Sequence, residues 1–140
     1  MKAHLTRRYR FSASHRLHSA EMSAEENKTT YGKCNNPHGH GHNYTLEVTI
    51  SGSVDQSTGM VCNLVDLDAV VEGEVLSRYD VQNLNTLQEF AQLVPTTENL
   101  SIEIFEILQR NFPHAHLERV RLEETMMNSF EYVGGNEPRR

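Results

Sequence analysis

A chain of 140 residues with a formal net charge of −6 fits a single domain, large enough to bury about two-thirds of the surface its unfolded chain exposes. Its lysines and arginines are scattered, giving no basic stripe for nucleic acid and no polybasic patch for a membrane surface. No apolar run approaches the roughly 20 residues that span a bilayer, and the opening Met1 to Arg8 lacks the apolar centre of a signal peptide, so the expectation is a cytoplasmic protein.

Residues 5 to 15 alternate, with Leu5, Tyr9, Phe11, Ala13 and His15 on one face and Thr6, Arg8, Arg10, Ser12 and Ser14 on the other. This period of two predicts a long half-buried strand whose apolar face ends at His15. From His18 to Lys33 the chain is polar and without clean periodicity, which reads as a long loop of the kind that commonly serves function.

A second strand is predicted over 40–53, where His40, His42, Tyr44, Leu46, Val48 and Ile50 share a face. A turn over 54–59 leads to a short strand expected at Met60 to Leu64. Leu64, Leu67, Val70, Val71 and Val75 then recur at helical spacing, predicting a helix over 66–77 with Asp66 and Asp68 at its start. The stretch 77–95 reads as irregular. Pro95 and Thr96 open a second helix carrying Leu100, Ile104, Phe105, Ile107 and Leu108, which Pro113 closes.

Two closing strands fit the alternation around Val120, Leu122 and Glu124 and the run to Phe130 and Tyr132. Glu124 continues an apolar face, where a carboxylate needs partners to offset its desolvation. His114 and His116 read as surface histidines in the helix-to-strand link. The order predicts an α+β fold: a four-stranded antiparallel sheet with two helices on one face. Residues 1–133 form the expected domain and 134–140 a disordered tail.

The chemistry concentrates between Cys34 and Tyr44, where one thiol and the imidazoles of His38, His40 and His42 fall within eleven residues. His40 and His42 point the same way from one strand, and Gly39 and Gly41 let the backbone bend and a substrate approach. Two imidazoles on one face suit zinc or another borderline divalent cation, and a catalytic site normally takes a third protein ligand. His15, ending the neighbouring apolar face, is the candidate. Arg16, Lys28 and Lys33 are the positive charges nearest in sequence. Cys62 falls in an apolar stretch, so the two cysteines are expected reduced.

Five segments in order, Phe11 to His18, Cys34 to Tyr44, Thr58 to Leu64, Thr96 to Asn99 and Glu124-Thr125, resemble the 6-pyruvoyl tetrahydropterin synthase family across nearly the whole chain. The resemblance implies the tetrahydropterin fold, or T-fold, in which sheets join across subunits into a barrel and two such trimers stack as a homohexamer with intersubunit active sites. It implies a carbon–oxygen lyase acting on a pterin triphosphate, 7,8-dihydroneopterin triphosphate, with elimination of triphosphate.

Position by position, it makes His15, His40 and His42 the zinc ligands, Cys34 the base, Asp80 a member of its proton relay and Glu124 the anchor of the pterin ring. Thr96, Thr97 and Glu98 would line that pocket, and Arg16 and Lys33, as positive charges near the histidines in sequence, are expected to be further substrate contacts. The family pattern has Asp-His where this chain has Asp80-Val81, which puts the relay in doubt and leaves His38 as a substitute. A related branch makes 6-carboxy-5,6,7,8-tetrahydropterin for queuosine. Its spacing of three residues from cysteine to histidine matches Cys34 to His38, while the synthase spacing of five leads to His40. A pterin-binding homologue with reduced or altered activity is the remaining reading.

Overall fold

The computed structural model describes every residue except Asn136 and Arg139. Its first strand, β1 (Lys2–His15), is followed by helix α1 (Ala24–Tyr31), strand β2 (His40–Ser53), a helix α2 running through 64–79, and a two-residue strand β3 (Gln82–Asn83). Helix α3 (Thr97–Asn111) and strands β4 (His116–Thr125) and β5 (Asn128–Tyr132) complete the chain. The sheet order is β3-β1-β2-β4-β5, with the β1–β2, β2–β4 and β4–β5 pairs antiparallel and β3 parallel to β1.

The expected four-stranded sheet therefore gains a fifth, short strand at one edge. Val81 N–H donates to the Ser12 carbonyl at 2.6 Å, and the Asp80 carboxylate accepts from Ser12 N–H at 2.9 Å. These two bonds bring the following Gln82 and Asn83 alongside Ala13 and Ser14.

The alternation read from the sequence sets the two faces of the sheet. Phe11, Ala13, Tyr44, Leu46, Val48, Ile50, Val120 and Leu122 are buried under α2 and α3, and a fully buried Leu or Ile contributes about 1.5–3 kcal/mol relative to an exposed one. On the other face polar groups pair across strands, as in the Thr6 and Thr49 hydroxyls at 2.8 Å and the Arg121–Glu47 ion pair.

Helix α2 buries Leu67, Val71, Val75 and Tyr79, a strict four-residue repeat that an α-helix of 3.6 residues per turn would carry gradually round its axis. The π-helical segment Val71–Leu76 widens the turn and keeps the stripe on the sheet.

Two local expectations are corrected. The 18–33 loop contains α1, opened by a capping box in which Ser23 Oγ accepts from Glu26 N–H and Glu26 Oε1 accepts from Ser23 N–H, both at 3.1 Å. The strand expected over 60–64 is absent. Asn63 instead caps α2 by accepting from Val65 N–H at 2.9 Å, so that helix begins two residues earlier than expected and runs two further. The tail expected over 134–140 includes Asn136 and Arg139, which lie outside the described residues; before them, Gly134 lies against the Phe105 ring. Both cysteines are free. No helix of the described residues is long and apolar enough to cross a membrane.

Candidate metal centre and adjoining pocket

Antiparallel register carries the histidines together. His15 lies directly opposite His40, and Ala13 opposite His42, so all three imidazoles project from the core face at the end of the β1–β2 pair. Their ring centroids lie 4.9 Å (His15–His40), 5.0 Å (His15–His42) and 4.7 Å (His40–His42) apart, with the rings nearly perpendicular. One ring nitrogen from each falls within 4.8 Å of the others.

Gly39 makes the approach possible. It holds φ +69°, and a Cβ there would stand 2.8 Å from the His15 carbonyl oxygen. Gly39→Ala should push His40 away from His15 and weaken metal affinity by about 10- to 100-fold, the scale seen when the support of a ligand is lost. Titration with zinc against a competing chelator checks this.

The donors suit a borderline divalent cation. His15 is buried, and its Nδ1 lies 2.8 Å from the Pro95 carbonyl oxygen, which accepts only. Nδ1 therefore carries the proton, and Nε2 presents its lone pair. His15 Nε2 and His42 Nε2 are both buried without a hydrogen-bond partner among the described residues, a costly state unless something else engages them. Burial lowers the pKa of His15 against the opposing pull of the Pro95 carbonyl, and burial also lowers that of His42 against the charge of Glu124. Both rings thus keep the neutral, ligating form to lower pH than an ordinary histidine.

Glu124 closes one side of the cluster. Its Oε1 lies 3.4 Å from His42 Nε2, within ion-pair distance but outside hydrogen-bond geometry, and its Oε2 accepts from the Thr97 hydroxyl. Thr97 is presented by the first turn of α3, which Thr96 caps by accepting from Asn99 N–H at 3.2 Å. Cys34 lines a cavity of about 580 Å³ with Gly32, Lys33, Asn36, His40 and His42. Leu17 N–H donates to the Cys34 carbonyl at 2.7 Å, while the buried Asn35 donates to the Leu17 carbonyl at 2.7 Å and contacts His18 Nδ1 at 3.0 Å. Burial, then the charge of Glu124, pushes the Cys34 thiol up.

The sequence profile described as 6-pyruvoyl tetrahydropterin synthase matches residues 4–135. A human protein named 6-pyruvoyl tetrahydrobiopterin synthase is 46% identical over 134 residues, covering 95% of this chain and 92% of its own. The chain belongs to the 6-pyruvoyl tetrahydropterin synthase family. The solved structure of the Caenorhabditis elegans 6-pyruvoyl tetrahydropterin synthase superposes with a TM-score of 0.92 at 42% identity, covering 96% of this chain and 97% of that one. A more distant relative from Archaeoglobus fulgidus, named a putative 6-carboxy-5,6,7,8-tetrahydropterin synthase, is 36% identical over 107 residues, 76% of this chain and 84% of its own.

Other positions singled out in the sequence are spread more widely. Lys33 stands on the rim of the Cys34 cavity, while Arg16 Nε donates to the Asn35 carbonyl at 3.3 Å. The Thr96 hydroxyl is occupied as a helix cap, and Glu98 is exposed in the first turn of α3. His38 is exposed in the turn before β2 and stands outside the imidazole cluster.

Asp80 and Val81 are also exposed. Val81 lines a separate cavity of about 360 Å³ with Ser12, Ser14 and Asn43, sharing only His42 with the cavity of Cys34. Within one chain they do not join Cys34.

Sequence reasoning passed over Tyr44, Asn35 and the Pro95 carbonyl. Tyr44 stood in the alternating core face, where its hydroxyl was the available signal. The Pro95 contact is a backbone group 80 residues from its partner and left no trace in residue type.

Proposed function

We propose that this chain is a zinc-dependent carbon–oxygen lyase of the 6-pyruvoyl tetrahydropterin synthase type, converting 7,8-dihydroneopterin triphosphate with loss of triphosphate and rearrangement of its side-chain hydroxyls to a diketone. The observation that carries this reading is the meeting of three imidazoles with free donor atoms, a thiol-lined cavity and the Glu124 carboxylate at one end of the core face.

His15, His40 and His42 would hold the zinc. Once bound, the cation supplies Lewis acidity toward the substrate's side-chain oxygens and a positive charge beside Cys34. Glu124 accepts hydrogen bonds from the pterin amino group and ring N–H, a paired arrangement that a neutral side chain does not reproduce. Cys34 takes a proton at Sγ as thiolate. Its raised thiol pKa means that positive charge must favour the thiolate, and Lys33 on the cavity rim adds to it. Lys33 and Arg16 also suit the triphosphate, and Thr97 supports Glu124 in the pocket assigned to Thr96, Thr97 and Glu98.

The assembly that fits is a homohexamer built as a dimer of trimers, each trimer's sheets closing a barrel. Asp80 lies apart from Cys34 in the single chain, so a neighbouring subunit's Asp80 would complete each site. The free edges of β5 and of the first half of β1 offer unpaired backbone for that closure. The carboxy-tetrahydropterin reading draws on the Archaeoglobus relative and on the Cys34-to-His38 spacing. The exposure of His38 outside the cluster weighs against it.

Incubating the protein with zinc and 7,8-dihydroneopterin triphosphate tests the assignment. Triphosphate with a diketo pterin is expected. Acetaldehyde would indicate the carboxy-tetrahydropterin reaction, and bound but unchanged substrate a binding protein. Glu124→Ala should lose about tenfold or more in pterin affinity, since a charge-assisted hydrogen bond is typically worth about 1.5–3 kcal/mol, and should keep its zinc. Fluorescence titration with neopterin beside metal analysis measures both.

A further inference from the structure

Tyr44 is fully buried, stacked on Phe11 at 5.0 Å between centroids and set edge-on to His42 at 5.7 Å. Its hydroxyl is buried too, with no hydrogen bond of acceptable geometry to any described residue. Around it stand Thr97, Glu124 and Cys34. A buried hydroxyl without a partner costs stability, and phenylalanine would fill nearly the same space without that cost. Thr97, a close neighbour of this hydroxyl, in turn donates to Glu124.

We propose that Tyr44 is a positioning residue for the pterin pocket, its hydroxyl donating to Thr97 Oγ1 when the pocket fills, which leaves the Thr97 proton directed at Glu124. This rests on the reading of Glu124 as the pterin anchor. Thr97 has one proton and two lone pairs. A donor behind it prevents its hydroxyl from rotating away and orients the chain of bonds toward the carboxylate, each strengthening the next. Glu124 is then held with one oxygen fixed by Thr97 and its remaining lone pairs facing the ring N–H groups. Tyr44 touches neither substrate nor metal in this scheme and acts through Thr97.

The test uses the zinc-loaded 140-residue chain, with neopterin binding followed by fluorescence. Tyr44→Phe is expected to weaken neopterin about three- to tenfold, the scale of one neutral hydrogen bond, with KM raised, kcat little changed and zinc content unaltered. Its melting temperature should hold or rise, whereas a hydroxyl with a purely structural role would lower it. Thr97→Val should weaken binding similarly, and the double variant should be no weaker than Thr97→Val alone, because the two hydroxyls act in series. Parental affinity in Tyr44→Phe, or losses that multiply in the double variant, would overturn the proposal. Glu124→Gln, measured alongside, reports on the underlying assignment: if it binds neopterin normally, the pterin-anchor reading fails and the role of Tyr44 fails with it. If only Tyr44→Phe is silent, the anchor stands and this inference alone is wrong.

Discussion

His42→Ala is expected to reduce bound zinc from one per chain to almost none and to lower turnover about 10³-fold or more, while the protein stays folded. The magnitude follows from the several kcal/mol that a bound metal contributes to charge stabilisation, at about 1.36 kcal/mol per tenfold in rate. Of the three imidazoles, that of His42 is the cleanest to remove. His15 is buried in the core, so its loss opens a cavity and mixes a packing cost with loss of the metal. His42 retains some exposure, and its strand is held on either side by the pairing of β2 with β1 and by the buried Tyr44 and Leu46. His38→Ala serves as the control and should keep its zinc. Metal analysis with circular dichroism reads both, and retention of zinc by His42→Ala with its loss from His38→Ala would move the centre into the turn.

Val81→His should raise synthase turnover by about 10²- to 10⁴-fold, the usual contribution of a general acid–base group, with little change in pterin affinity. The resemblance implies a histidine after Asp80, and this chain has a side chain that cannot carry a proton. The backbone nevertheless keeps an unusual shape. Val81 holds φ +58° and leaves its side chain 83% exposed, a true outlier for a β-branched residue. The two hydrogen bonds to Ser12 hold it there. Histidine is tolerated better than valine in this region, so the exchange should not lower the melting temperature. Val81→Gly separates the two effects, since it relieves the backbone strain and supplies no proton acceptor. An equal gain from glycine would mean that strain limits the parent. No gain from histidine, with His38→Ala abolishing an activity the parent has, would route the proton through His38.

The long strands were legible because a period of two placed His15, His40 and His42 on faces already marked by Phe11, Tyr44 and Leu46. Their mutual register was not, since the pairing of His15 with His40 depends on how Gly39 packs against the His15 backbone. Helix α1 escaped because Asn27 is its one buried residue, leaving no apolar stripe to read, although Ser23 and Glu26 spelled its capping box. Asn27 is held by backbone instead: its amide donates to the Ser19, Met22 and Ser23 carbonyls. The strand expected at 60–64 failed for the opposite reason. Its apolar run was real, but Val61 and Cys62 are only half-buried and Asn63 turns the chain into α2. Glu124 was singled out by its place on an apolar face, and its pairing with Thr97 joins two segments 27 residues apart. Asp80, expected in the relay, instead accepts from Ser12 on β1 and does not lie beside Cys34 in the single chain.

One centre, formed by the three imidazoles and flanked by Glu124, is proposed to hold both the metal and the pterin. Anomalous scattering at the zinc edge, from crystals grown with zinc and neopterin, tests it most directly. One strong peak per chain is expected among His15 Nε2, His40 and His42, with the pterin ring paired to the Glu124 carboxylate. Zinc bound at His38, or a pterin ring that leaves Glu124 without a contact, would contradict it.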